Sequence, residues 1–228
     1  MKKPNINLLA VIVAVPVIGM TIIAPALTII KNDLNISFEN TQLILTLYFT
    51  FLALGQILSG PFSDKYGRKP ILLLGASIYS ISAFFASLSS NIEVLLILRC
   101  FQGFGAAACL SVGRTILSDC YEIKEAAKEM SKMTAIMAVI PISCFIFGGF
   151  LAEFLGWRTN LIALGIISLI LIIAMSFFLN ETLTKKAQSI SFKNMFIVYK
   201  GLINTVSFNF FTITTAMQTS MFFAMNGF

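Results

Sequence analysis

Charged residues are scarce in this sequence, and histidine is missing. Only 11% of its 228 residues are charged, against about 25% in a typical soluble domain. The cysteines show no C-x-x-C spacing, so neither a metal site nor a disulfide framework is indicated. There are four of them, Cys100, Cys109, Cys120 and Cys144. These absences argue against a water-soluble enzyme, and we expect no enzymatic activity, no cofactor and no bound metal.

Long apolar runs are what the sequence has instead: 57% of the residues are hydrophobic, and the mean hydropathy is +0.90. Runs of about 20 apolar residues are long enough to cross a bilayer. They predict an all-α polytopic membrane protein with spans at about Leu8–Ile30, Thr41–Pro61, Ile71–Leu88, Glu93–Leu117, Met133–Leu155, Leu161–Leu179 and Leu202–Phe228. The first run exceeds the 7–15 apolar residues of a signal peptide, which favours a retained helix bent by Pro16 and Pro25. Residues Asp119–Lys132 predict a short amphipathic surface helix.

The placement of basic residues predicts the orientation of these spans. Twelve of the sixteen bases fall on one side, namely Lys2, Lys3, Lys65, Arg68, Lys69, Lys124, Lys128, Lys132, Lys185, Lys186, Lys193 and Lys200. Lys31 and Arg158 fall on the other side, and Arg99 and Arg114 lie within the fourth span. Cytoplasmic loops carry an excess of Lys and Arg. The N-terminus is therefore expected in the cytoplasm and Trp157 at the outer interface, with no role for nucleic acid.

The segment Gly60–Lys69, here called the signature segment, is a short polar link between the second and third spans. Gly60 allows a neighbouring backbone to approach, and Gly67 permits a turn with positive φ. Asp64 is expected to accept N–H bonds at a helix N-terminus, where the dipole favours an anion. By charge alone, any basic cytoplasmic turn would look similar.

The order of residues in this segment, G-x-x-x-D-x-x-G-R-K between two membrane helices, resembles the loop 2–3 signature of the major facilitator superfamily. With Gly55, Gln56 and Pro61, it is similar to the bicyclomycin-resistance branch of its drug exporters. Arg114 and Asp119 match the family's partners for the loop acid and base. The resemblance implies a conformational latch formed by Gly60, Asp64, Gly67, Arg68, Arg114 and Asp119. The alternative is a solvated cluster that contributes little.

Arg99 lies well inside the fourth span, where a base costs at least about 2.5–3.5 kcal/mol and should face the bundle interior. A side chain that reaches the outer headgroups is the alternative. The motif R-x-x-Q-G-x-G around it resembles the family's fourth-helix motif, which implies a role in proton coupling. Gly103 and Gly105 allow close helix packing.

In the fifth span, Pro141, Gly148 and Gly149 partly resemble the antiporter motif, and predict a kinked helix that packs closely. A generic kinked helix fits equally well. The sequence departs from the family at Phe145, where the exporters carry proline, and at Thr21, where they carry Asp. No Asp or Glu lies in the middle of any span.

The resemblance implies an N-terminal six-helix bundle of two inverted three-helix repeats, plus about one further helix. The expected divisions are 1–180 for the bundle, 181–201 for a cytoplasmic linker and 202–228 for a seventh helix. The implied function is proton-coupled efflux of small amphiphilic drugs across the inner membrane. The implied partners are the lipid bilayer, a small-molecule substrate, protons, and a separate C-terminal half or a second copy. Candidates for the substrate cavity are Phe49, Phe51, Gln56, Gln102 and Met137.

Two other functions stay open. The chain could be a truncated, non-transporting relic or a partner-dependent half. Its end at Phe228 would suggest this, and so would the departures from the family at Phe145 and Thr21. It could also belong to a metabolite transporter, for which further buried Arg or Lys residues would be expected.

Overall fold

The computed structural model describes residues 4–183 and 192–225, and every regular element in these ranges is helical. In chain order the helices are α1 (Ile6–Thr21), α2 (Leu27–Asp33), α3 (Phe38–Tyr66), α4 (Arg68–Ser87), α5 (Ile92–Cys120), α6 (Ile123–Leu155), α7 (Arg158–Phe178), α8 (Phe192–Ile203) and α9 (Val206–Met225). Within residues 4–183, six spans are long and apolar enough to cross a membrane. The predicted all-α membrane bundle is confirmed.

The first span is broken. Residues Ile6–Asp33 cross as one unit, but a 3-10 turn at Ala24–Ala26 separates α1 from α2. Pro25 lies in this turn and has no N–H to donate, so the regular α-helical pattern cannot continue through it. Pro16, by contrast, is accommodated inside α1.

The expected surface helix before the fifth span is not a separate element. Helix α6 runs without a break from Ile123 to Leu155, because residues 123–140, which include the polar stretch and the start of the apolar run, contain neither glycine nor proline. Glu129 and Lys132, three residues apart on its first half, form an ion pair at 2.8 Å. A polar beginning and an apolar continuation therefore belong to one helix.

Small residues set the closest helix contacts. A Cβ at Gly103 would collide with the backbone of Tyr48 in α3, and one at Gly105 with the backbone of Gly75 and Tyr79 in α4. Helix α5 therefore packs directly against both neighbours, as predicted. Two hydroxyls join α4 to α7: Ser80 Oγ donates to Gly165 O at 2.9 Å, and Ser168 Oγ donates to Ala76 O at 3.0 Å.

The bundle contains two repeats of three spans. The first comprises α1–α2, α3 and α4, and the second comprises α5, α6 and α7. In each repeat a glycine with positive φ follows the second span, Gly67 at 112° and Gly156 at 85°. Since successive spans alternate in direction, these two links lie on opposite membrane faces.

Residues 4–183 and 192–225 form separate compact units. In the second unit, α8 occupies much of the expected linker, and α9 begins four residues after the expected start of the seventh helix. Asn209 Nδ2 donates to Ile203 O at 2.6 Å across the turn between α8 and α9. The division at residues 180 and 201 stays a prediction.

Candidate functional site

The signature segment is almost entirely helical rather than a loop. Helix α3 continues to Tyr66 and α4 begins at Arg68, so only Gly67 lies outside a helix. Its φ of 112° and ψ of 155° make a tight reversal that favours glycine. Gly60 is not a packing glycine, because a Cβ there would meet no described atom within 4 Å. The prediction that a neighbouring backbone approaches Gly60 is therefore wrong within the described bundle.

Arg68 organises a cluster of polar groups at this link, here called the signature cluster. Its Nη1 donates to Asp64 Oδ1 at 2.5 Å and to Ser63 Oγ at 2.6 Å, and its Nε donates to Asp119 Oδ2 at 2.8 Å. Arg68 is buried, whereas 52% of the Asp64 side chain is exposed. One guanidinium thus ties the ends of α3 and α5 to the start of α4 and leaves one acid open to further contact.

Contrary to the prediction, Arg114 does not join the signature cluster. Its side chain is exposed, and no described carboxylate pairs with it. Arg114 and Asp119 are five residues apart in α5, which places them on different faces of the helix. Proximity in the sequence therefore did not indicate a shared site.

Glu181, which follows α7, is the member of this site that the sequence analysis missed. Its carboxylate accepts N–H bonds from Arg68 at 3.0 Å and Lys69 at 3.2 Å. It also accepts from Thr182 and Leu183, both at 2.9 Å. Burial raises the pKa of Glu181, but hydrogen bonds from the backbone of Leu183, Arg68, Lys69 and Thr182 outweigh it and hold the pKa below its usual value. The carboxylate is therefore an ionised cap for α4.

Glu181 takes the place that the sequence analysis assigned to Asp64. Asp64 lies in the last turn of α3, not at a helix N-terminus. A Cβ at Gly67 would also collide with the Glu181 carboxylate. The positive φ and this close approach both favour glycine at position 67.

Arg99 is fully buried, at 0% exposed, so the prediction that it points into the bundle is confirmed. Its Nη1 donates to Gln102 Oε1 at 2.6 Å, its Nη2 to Gly19 O at 3.1 Å and its Nε to Ile44 O at 3.4 Å. The guanidinium lies 4.3 Å from the ring centroid of Tyr48. Carbonyls and an aromatic face surround this cation, and no described carboxylate pairs with it.

Gln102 is also fully buried and accepts the Arg99 hydrogen bond. It therefore lies inside the bundle, whereas the sequence analysis predicted it on the wall of an open cavity. The other cavity candidates, Phe49, Phe51, Gln56 and Met137, are half-buried. A polar stripe on α3 was missed. Its members, Gln42, Thr46 and Thr50, are exposed, and their spacing of four residues was a signal available in the sequence.

Helix α6 packs on the break in the first span. A Cβ at Gly148 would collide with the Ile22 backbone, and one at Gly149 would lie 3.7 Å from Pro25 Cβ. Asn160 Nδ2 donates to Ile22 O at 2.8 Å and to Gly148 O at 3.0 Å. The amide thus satisfies a carbonyl that the break leaves free. Gly148 therefore lies directly against the backbone of the first span, and α6 continues through Pro141.

A second polar cluster lies on the other membrane face, at the α6–α7 link. Arg158 Nη1 donates to Asp33 Oδ2 at 2.7 Å, and Arg158 Nη2 donates to Ser89 O at 3.2 Å. Trp157 Nε1 donates to the same Asp33 oxygen at 2.9 Å. Trp157 is buried: its N–H has a protein partner, and Arg158 covers its ring at 4.3 Å. Its placement at the outer interface stays a prediction.

Residues 9–228 match the family model of the Major Facilitator Superfamily. The chain belongs to this superfamily. Its fold agrees with that of a bacterial homologue of the human lysosomal transporter Spinster, with a TM-score of 0.68 and 21% identity over 82% of this chain and 45% of that one. This likeness supports the fold alone.

Among relatives of this superfamily member, the bicyclomycin resistance protein homologue of Haemophilus influenzae is 28% identical, covering 89% of this chain and 53% of the relative. The chloramphenicol resistance protein of Pseudomonas aeruginosa is 30% identical, covering 90% of this chain and 48% of the relative. The MFS-type transporter YdgK of Bacillus subtilis is 36% identical, covering 70% and 40%. The chain spans about half the length of these relatives.

Proposed function

We propose that this integral membrane protein is the N-terminal half of an exporter of small amphiphilic drugs that works by alternating access and is driven by protons. Several relatives carry bicyclomycin, chloramphenicol or multidrug resistance in their names. The rest of the second half of the transport path would come from the helices that follow the predicted seventh one, in this chain's extension or in a partner. The excess of bases favours a cytoplasmic N-terminus and an inner-membrane location.

The proposal rests above all on the signature cluster. Arg68 is held by acids from two helices, while Asp64 keeps half of its side chain exposed. A contact affects a two-state equilibrium only if it differs between the states. The Arg68–Asp119 pair lies within one half and would differ little between the states, whereas the half-exposed Asp64, although paired with Arg68, can also engage the second half in one state only.

The polar stripe on α3 supports a water-filled path on this side of the half. Thr46 and Thr50 are exposed, and each donates to the carbonyl four residues earlier in its own helix, at 3.1 Å and 2.8 Å. Because these hydroxyls are satisfied within the helix, the exposed Gln42 amide would cost most against lipid, and it favours a hydrated cavity. This face is the proposed substrate surface, together with Phe49 and Gln56.

For proton coupling we propose that Arg99 responds to a protonatable group outside this half. No carboxylate is buried among the described residues. At the position where the exporters carry Asp, Thr21 Oγ1 donates to Val17 O at 2.8 Å. Hydrogen bonds to carbonyls and Gln102 keep Arg99 in place without such a group.

The same observations favour a second candidate function, a partner-dependent half without transport of its own. A half that contains no buried proton carrier cannot by itself load and release protons inside the membrane. The two proposals differ in whether residues 1–228 alone produce efflux.

The test is a cellular efflux assay with bicyclomycin and chloramphenicol, with and without a protonophore. Residues 1–228 would be expressed alone and joined to the remaining helices of the Haemophilus influenzae relative. We expect efflux only from the joined protein, and its loss with Asp64→Asn, while the isolated half folds normally with this substitution. Efflux by the isolated half that Asp64→Asn abolishes would contradict the argument and indicate that two copies assemble.

A further inference from the structure

The α6–α7 link repeats the pattern of the α3–α4 link. From Gly60 to Arg68, an acid follows the first glycine by four residues, a second glycine follows the acid by three, and an arginine comes next. From Gly149 to Arg158 the same spacing recurs, with one Trp before the arginine. The acid of the second pattern is Glu153.

The backbone conformations of the two links agree as well. Gly67 has φ 112° and ψ 155°, and Gly156 has φ 85° and ψ 152°. Each glycine ends the second span of its repeat and leads into the third. The repeated pattern is therefore also a repeated structure, on opposite membrane faces.

The contacts of the two arginines correspond across the repeats. Arg68 pairs with Asp119 at 2.8 Å, at the end of the first span of the second repeat. Arg158 pairs with Asp33 at 2.7 Å, at the end of the first span of the first repeat. Each repeat thus places an arginine at the start of its third span against an aspartate that ends the first span of the other repeat.

The segments that follow the third spans correspond too. Glu181, after α7, accepts from the backbone of Arg68, and Ser89 O, after α4, accepts from Arg158. Glycine, arginine, aspartate and the following segment all have a counterpart. The acids of the two patterns, Asp64 and Glu153, remain to be compared, and their environments differ.

Glu153 lies exposed in the last turn of α6, and no ion pair joins it to a described residue. An acid near a helix C-terminus is disfavoured by the helix dipole. Asp64, in the same position on α3, is compensated by Arg68, whereas Arg158 is engaged by Asp33. Glu153 therefore has an unfavourable local position that a cation from outside this half would relieve.

We infer that Glu153 is the opposite-face counterpart of Asp64, the acid through which this half contacts a basic side chain or helix N-terminus of the second half. The inference rests on the proposed alternating-access function. The occupant is the second six-helix half, because the chain spans about half the length of its relatives. Contact at Asp64 closes the face of the α3–α4 link, and contact at Glu153 closes the face of the α6–α7 link.

Glu153→Gln and Asp64→Asn should consequently shift the transporter in opposite directions. Loss of either contact favours the state in which its own face is open. Exposed ion pairs contribute about 0.2–1 kcal/mol, so we expect the ratio of the two states to change about 1.4- to 5-fold. Glu93→Gln is the matched control, since Glu93 is an exposed acid on the same face as Glu153, at the start of α5.

The experiment measures electron–electron distances between one spin label in each half of the joined transporter, with one label pair on each face. Tyr66 and Asn35 are positions for the labels in this half. Glu153→Gln should lengthen the distance on the α6–α7 face, and Asp64→Asn the distance on the α3–α4 face. Thermal unfolding of each variant checks that it is folded.

The outcomes separate the two levels of the hypothesis. If Asp64→Asn shifts the distances and Glu153→Gln changes nothing, or acts in the same direction, the inference about Glu153 is overturned and the proposed function stands. If neither substitution shifts them and the joined protein exports no drug, the proposed function fails as well. An effect of Glu93→Gln equal to that of Glu153→Gln would also overturn the inference.

Discussion

Replacing Arg99 by lysine keeps the positive charge but removes the planar arrangement of its donors. Arg99 donates in three directions, to Gln102 Oε1 at 2.6 Å, Gly19 O at 3.1 Å and Ile44 O at 3.4 Å. A lysine ammonium on a single stem cannot reach acceptors on three helices at once. At least one well-formed bond, and with it one buried acceptor, would be lost.

The magnitude follows from burial. Each buried acceptor left without a donor costs about 1–3 kcal/mol. The long bond to Ile44 contributes least, so the loss falls mainly on Gln102 or Gly19, with a smaller loss of the contact to the Tyr48 ring. We expect Arg99→Lys to lower the free energy of unfolding by about 3 kcal/mol and not to restore transport.

The assay is an equilibrium unfolding titration with sodium dodecyl sulfate in mixed micelles, followed by far-ultraviolet circular dichroism. Arg114→Lys is the control, because Arg114 lies in the same helix but is exposed, and surface substitutions usually stay within about 0.5 kcal/mol. Equal stability of Arg99→Lys and the unmodified protein would refute the reasoning. So would an equal loss for both variants.

Three further results are expected. Glu181→Gln should destabilise α4 and lower the free energy of unfolding. Because folding lowers the pKa of Glu181, this loss should be full above the unfolded pKa of about 4.3 and should vanish as the pH falls through the lower folded value. An unfolding series from pH 7 to pH 3 in which the loss grows would contradict this. Gly103→Ala should weaken the bundle by forcing α5 from α3, whereas Gly60→Ala should be tolerated, as thermal unfolding in detergent would show; equal melting temperatures would count against the packing argument. With the native cysteines removed, Tyr66→Cys should react with an impermeant maleimide only from the cytoplasm and Asn91→Cys only from outside, and the reverse labelling would invert the topology.

Chain proximity and helix rotation explain why some predicted members of the signature cluster meet and others do not. Asp64 and Arg68 are only four residues apart, on either side of Gly67, so the tight link between α3 and α4 brings them together. Arg114 and Asp119 were grouped by resemblance, and only Asp119 faces the cluster. The rotation of α5 about its axis decided between them.

The sequence by itself determined that the spans are helical and where the six within residues 4–183 lie, because each apolar run of about 20 residues can satisfy its backbone in lipid only as a helix. It also determined that Arg99 lies inside the bundle, since a guanidinium in the middle of a span is too costly against lipid. The positive φ at Gly67 was likewise visible as a glycine at a link between helices.

Only the tertiary structure decided which distant groups meet. Glu181 caps α4 from 113 residues away, and Trp157 donates to Asp33 across 124 residues. No local pattern encodes such pairs, because they depend on how helices pack and rotate against one another. Hydrophobicity shows where a chain can enter the membrane, and packing decides where each helix ends and which side chains it brings together.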